Sequence, residues 1–84
     1  MNKIEASILL YLRHEKLCTV VSTITTSALS EREDWGIKPE TLYRYLRKMV
    51  KKGYIKNGLP DGKAKTYYIT EHGLRKLEDL ENER

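Results

Sequence analysis

Phenylalanine is absent from this chain, and cysteine and tryptophan occur once each. Without Phe, an aromatic core must draw on the six tyrosines, so Tyr54 and Tyr67 read first as packing residues rather than as platforms for unpaired bases. The single Cys18 excludes an internal disulfide framework, suits a reducing cytoplasm, and reads as an inert core thiol. No apolar run approaches the ~20 residues of a membrane-spanning helix, and the start carries no secretory leader pattern. Repeats and low-complexity stretches are missing too. One cytoplasmic domain over residues 1–84 is expected, with no membrane contact and too little interior for a deep enzyme cleft.

Catalytic and metal-binding groups are equally scarce. His14 and Cys18 stand four residues apart, but two ligands make no closed metal site. His72 has no acid or nucleophile patterned around it. Gly58 to Lys63 superficially resembles a phosphate loop, yet its glycine spacing is one residue short and Ala64 stands where Ser or Thr is required. The expectation is a protein that is not an enzyme, with no cofactor and no metal. No residue pattern names a small-molecule effector.

What the chain has is positive charge in one place. Residues 38–69 hold nine Lys and Arg against Glu40 and Asp61, a net +7, whereas residues 1–37 carry −1 and residues 70–84 carry −2, within a total of +4. A basic block flanked by acidic ends is the footprint of a polyanion-binding surface rather than of general solubility.

The block coincides with a helix followed by a hairpin. Residues 3–16 read as a helix with Ile4, Ile8, Tyr11 and Leu12 on one face, and with Ala6, Leu10 and Leu17 on roughly the opposite side. Cys18–Thr25 is β-branched and reads as extended. Thr26 or Ser27 caps a short helix over 26–33. Trp35 reads as packing over the turn that follows, with exposed partner contact as the alternative.

Pro39 opens a helix over 39–52 with Leu42, Leu46, Met49 and Val50 inward, and Gly53 ends it as a left-handed cap. The wing spans 54–69, two short strands joined by Gly58–Ala64. Thr70 caps a last helix over 71–81, with Leu74, Leu77 and Leu80 inward. This order predicts a mainly α fold with a small β-hairpin (α+β), a winged helix-turn-helix. In that fold the third helix suits the major groove of DNA, and the wing reaches the backbone or minor groove.

From Ile37 to Met49, through Val50-Lys51-Lys52-Gly53-Tyr54-Ile55, and again over Gly62–Gly73, the sequence resembles the PadR-like regulators and, more loosely, the MarR-like ones. About half the chain is covered. The resemblance implies a bacterial or phage-type transcription regulator that binds palindromic DNA as a dimer. The His-Gly-Tyr signature of PadR-like first helices is missing, as are the long C-terminal dimerisation helices of that family.

Candidate DNA contacts follow by position. Lys38, Glu40, Thr41 and Arg44 lie at the leading end of the third helix. Arg44 is the best candidate for a guanine, since its fork engages O6 and N7 together, while Thr41 suits a thymine methyl or a phosphate. Arg47, Lys48, Lys51 and Lys52 follow on the exposed side and suit phosphates. Tyr43 either hydrogen-bonds a phosphate or packs half-buried. On the wing, Lys56, Lys63 and Lys65 either meet the backbone or protect a strand edge from pairing. Ala6, Leu10, Leu17 and Leu80 form the candidate homodimer surface, which would set two third helices about 34–36 Å apart on a pseudo-palindrome.

The leading functional expectation is a sequence-specific double-stranded DNA binder that regulates transcription, most simply a repressor. The alternatives are replication, partition or excision on a plasmid or phage, and a winged-helix module that docks on another protein.

Overall fold

The computed structural model describes residues 2–83. Seven elements follow in order: α1 (Lys3–His14), β1 (Ile24–Thr25), α2 (Thr26–Arg32), α3 (Pro39–Lys52), β2 (Ile55–Asn57), β3 (Thr66–Ile69) and α4 (Glu71–Asn82). This is the α+β winged helix, with one addition. The wing strands β2 and β3 are joined by β1 into a three-stranded antiparallel sheet of order β1-β3-β2. Ile24 pairs with Tyr67 and Thr25 with Thr66, while Ile55, Lys56 and Asn57 pair with Ile69, Tyr68 and Tyr67.

α1 starts at a reciprocal cap. The Asn2 side chain accepts from the Glu5 N–H at 2.9 Å, and the Asn2 N–H donates to Glu5 Oε1 at 3.2 Å. The other Glu5 oxygen receives Lys52 Nζ at 3.3 Å, although the Glu5 side chain is buried and that of Lys52 is half exposed. A carboxylate is tolerated there because each of its oxygens has a donor, the Asn2 N–H on one and the Lys52 ammonium on the other. Lys52 is thereby tied to Glu5, and it lines none of the clefts that the neighbouring Lys51 lines. Replacing Glu5 with alanine is expected to cost about 1–2 kcal/mol, through the lost cap and the lost tie to α3. Urea denaturation checks it, and an unchanged midpoint would show that neither interaction matters.

The buried stripe of α1 is Glu5, Ile8, Leu9 and Leu12. It is rotated from the expected face: Leu9 is fully buried, while Ile4 and Tyr11 are only partly covered. The helix also stops at His14 rather than residue 16. Lys16 takes a left-handed φ of +57°, and the Leu17 N–H turns back to the Leu12 carbonyl at 2.9 Å. That turn puts Leu17 against the core and lets its carbonyl accept from the Ile69 N–H at 2.9 Å. Leu17 therefore does not extend the surface that Leu10 presents.

The same early stop corrects the reading of Cys18 as a core thiol. Cys18 is exposed, in a loop where the Ser22 N–H donates to the carbonyl and hydroxyl of Thr19. The β-branched run beyond it forms only two residues of strand, and Val21 is 72% exposed.

Thr25, not Thr26 or Ser27, caps α2, its hydroxyl accepting from the Ala28 N–H at 3.1 Å. α2 ends at Arg32, one residue short of the expected limit. Trp35 packs as expected over the turn to α3. Its Nε1–H donates to the Leu29 carbonyl at 2.8 Å, and its ring meets Tyr11 edge-on at 5.9 Å. α3 begins with Pro39 at its first turn and buries Leu42, Leu46 and Met49. Gly53 closes it at φ +80°. α4 is capped by Thr70, whose hydroxyl accepts from the Gly73 N–H at 3.0 Å and donates to the Gly53 carbonyl at 2.6 Å. One residue thus ties the start of α4 to the end of α3. α4 returns along α1, where Arg13 grips Glu81 through two bonds of 2.9 and 2.7 Å.

Candidate nucleic-acid interface

The exposed side of α3 carries its cations at the helical spacing 44, 47, 48, 51. Arg44, Arg47, Lys48 and Lys51 surround one open cleft along the helix. The Arg47 guanidinium lies 5.9 Å from the Tyr43 ring centroid, so the arginine is braced by the aromatic face. A second cleft, between α3 and the wing, is lined by Arg47, Val50, Lys51, Asn57, Lys65 and Tyr67. A third, about 280 Å³, lies where α2, α3 and the wing meet. Thr25, Thr26, Ser27, Tyr43, Lys63 and Lys65 contribute to its walls, and Tyr67 to its floor. No carboxylate lines any of the three. Water-exposed cations in grooves without acids raise the local potential and concentrate polyanions.

The wing is shaped at its tip by a two-residue turn. Asp61 and Ala64 exchange both backbone hydrogen bonds at 2.9 and 3.0 Å, and Gly62 supplies φ +61°. Its base is held by the Thr66 hydroxyl, which donates to the Leu59 carbonyl at 2.8 Å, and by the Leu59 N–H, which donates to the Val20 carbonyl. Lys63 and Lys65 thus sit on a braced loop facing α3.

Of the residues expected to touch DNA, Tyr43, Arg44, Arg47, Lys48, Lys51, Lys63 and Lys65 are brought together around these three clefts. Lys38 and Glu40 are exposed at the start of α3, and Thr41 beside them is half-buried. Lys56 is separate. It alternates with Ile55 and Asn57 along β2 and pairs with Tyr68, on the sheet face turned away from the core and the clefts. Among the candidate dimer residues, Leu10 is 43% exposed, whereas Ala6 and Leu80 are half-covered within the fold.

Thr25, Thr26, Ser27, Asn57 and Tyr67 are cleft residues that sequence reasoning missed. The hydroxyl run that caps and opens α2 was legible only as capping, because its proximity to the wing depends on β1 pairing with β3. Tyr67 is correctly a core side chain, only 1% exposed. Its hydroxyl, however, is buried with no hydrogen-bond partner, alone in this among the described residues. The Thr26 hydroxyl lies beside it without completing a bond. Burial pushes the phenol pKa up from its ordinary value, so the group stays a protonated donor at neutral pH. An unpaired buried hydroxyl costs about 1–3 kcal/mol.

A four-helix α+β domain with a three-stranded sheet, a cationic third helix and a cationic wing defines a winged helix with a polyanion-facing surface. The chain is 30% identical over 80 residues to the DNA-binding protein TubR of Clostridium botulinum C phage, spanning 95% of this chain and 96% of the relative. It belongs to the TubR family. Among solved structures, TubR from Bacillus megaterium pBM400 has the same fold, with a TM-score of 0.81 over 98% of this chain and 88% of that one, at 20% identity. No family model matches the chain. The likeness to PadR-like and MarR-like regulators over residues 37–73 is therefore one of winged-helix pattern (helix, left-handed glycine, strand), and the family is that of TubR.

Proposed function

We propose that this protein binds double-stranded DNA sequence-specifically and serves the maintenance of a phage or plasmid, by partition or replication, rather than acting first as a repressor. The observation that carries the reading is the gathering of seven basic or aromatic residues from α3 and the wing around three clefts that contain no acid. The DNA-binding name of the phage relative supports the ligand, and the phage origin of that relative supports the setting. α3 enters the major groove with Arg44 toward a base edge, while Lys63 and Lys65 carry the wing along the neighbouring backbone. The protein works as a homodimer, in which Leu10 supplies the most exposed apolar side chain of α1.

Selection from random duplex followed by footprinting tests this reading. Protection that spreads across an array of repeated sites supports partition or replication. A single protected pseudo-palindrome supports the repressor instead. Arg44→Ala is expected to weaken the selected site by about 1–3 kcal/mol and to relax preference at one base pair, with little effect on random duplex. Equal losses on both DNAs would move Arg44 from base reading to phosphate binding. Sedimentation as a monomer at high micromolar concentration would remove the homodimer.

A further inference from the structure

The third cleft contains more than exposed lysines. Its floor is Tyr67, whose hydroxyl is buried, protonated and unpaired, and its walls carry the hydroxyls of Thr26 and Ser27. Lys63 and Lys65 stand at its mouth on the wing. One buried neutral donor on the floor, hydroxyls on the walls, ammonium groups at the entrance and no carboxylate make a donor set for a small oxyanion.

We propose that this cleft is a seat for one backbone phosphate of the bound duplex. The Tyr67, Thr26 and Ser27 hydroxyls donate to its oxygens, and Lys63 and Lys65 fold over it. The seat rests on the duplex-binding reading and deepens it. Gripped from α2, β3 and the wing at once, that phosphate fixes the angle at which α3 enters the groove, which neither α3 nor the wing does alone. Exposed lysine side chains form the movable wall that opens as the phosphate enters.

Tyr67→Phe keeps the ring in the core and removes only the unpaired hydroxyl. Binding to random 30-base-pair duplex, read by fluorescence anisotropy at a temperature where both proteins are folded, is expected to weaken about three- to tenfold at every salt concentration. The salt slope is expected to stay unchanged, because no cation is lost. The melting temperature is expected not to fall, since no internal bond is broken. Lys65→Ala is expected to lower affinity and to reduce the slope by about one. A Tyr67→Phe variant that binds as tightly as the wild type overturns the seat, whether or not its melting temperature drops.

Failure of wild-type protein to bind any duplex at low salt would instead sink the duplex-binding reading. The seat then still faces titration with inorganic phosphate followed by ¹H–¹⁵N spectra. Shifts of the Thr26, Ser27, Ala64 and Lys65 amides that are lost in Tyr67→Phe support it, and unmoved amides overturn it.

Discussion

Replacing Gly73 with alanine is expected to destabilise the domain by at least about 3 kcal/mol, against the sign that helix propensity alone gives. Gly73 is the third residue of α4, where alanine is worth about 1 kcal/mol more than glycine in an open helix. Here the helix starts on top of the chain that leaves α3. A Cβ at position 73 would overlap the Tyr54 carbonyl oxygen and come within 2.9 Å of Ile69 Cγ1. The Tyr54 carbonyl cannot step aside, because it accepts from the Thr70 N–H at 3.0 Å in the junction between the two helices. Relief requires α4 to lift, which uncovers Leu77 and loosens the Arg13–Glu81 tie. At about 4–8 °C per kcal/mol for a domain of this size, the melting temperature should fall by roughly 15 °C or more. Calorimetry of Gly73→Ala decides it, and a midpoint within about 2 °C of wild type would show that the junction is looser than its geometry.

Such junctions explain what the sequence did and did not disclose. Gly53 was legible because a helix with two lysines in its last turn needs a left-handed stop, a local requirement. Gly73 has an ordinary helical setting, and its need for a missing side chain comes from Tyr54, nineteen residues earlier in the chain. The stripe of α1 was misphased for a related reason. Its first member is Glu5, a polar residue that hydrophobic periodicity cannot count, buried because Asn2 and Lys52 satisfy it. The cationic side of α3 was readable almost residue by residue, since helical spacing and charge are both local. The floor and back wall of the third cleft were not, because they depend on a two-residue strand pairing with residues more than forty positions further along the chain.

The double variant Arg47→Ala, Lys51→Ala is expected to lose roughly 100-fold in affinity for any duplex at about 0.1 M salt, with the salt slope reduced by about 2. Both side chains line the cleft along α3 and the cleft between α3 and the wing, so they stand where two grooves converge. Neither forms an ion pair among the described residues, which leaves both charges available to phosphates. The fold should be almost indifferent, apart from about 0.5 kcal/mol for the Arg47–Tyr43 contact. Lys52→Ala is the control that separates position from total charge. It removes one positive charge, as Lys51→Ala does, but its ammonium is directed to Glu5 on the far side of the helix end. Its slope is expected to match that of the wild type, while Lys51→Ala alone reduces the slope by about one. If adjacent lysines at 51 and 52 proved equivalent across the salt series, binding would follow net charge and not the clefts, and the docking of α3 would have to be abandoned.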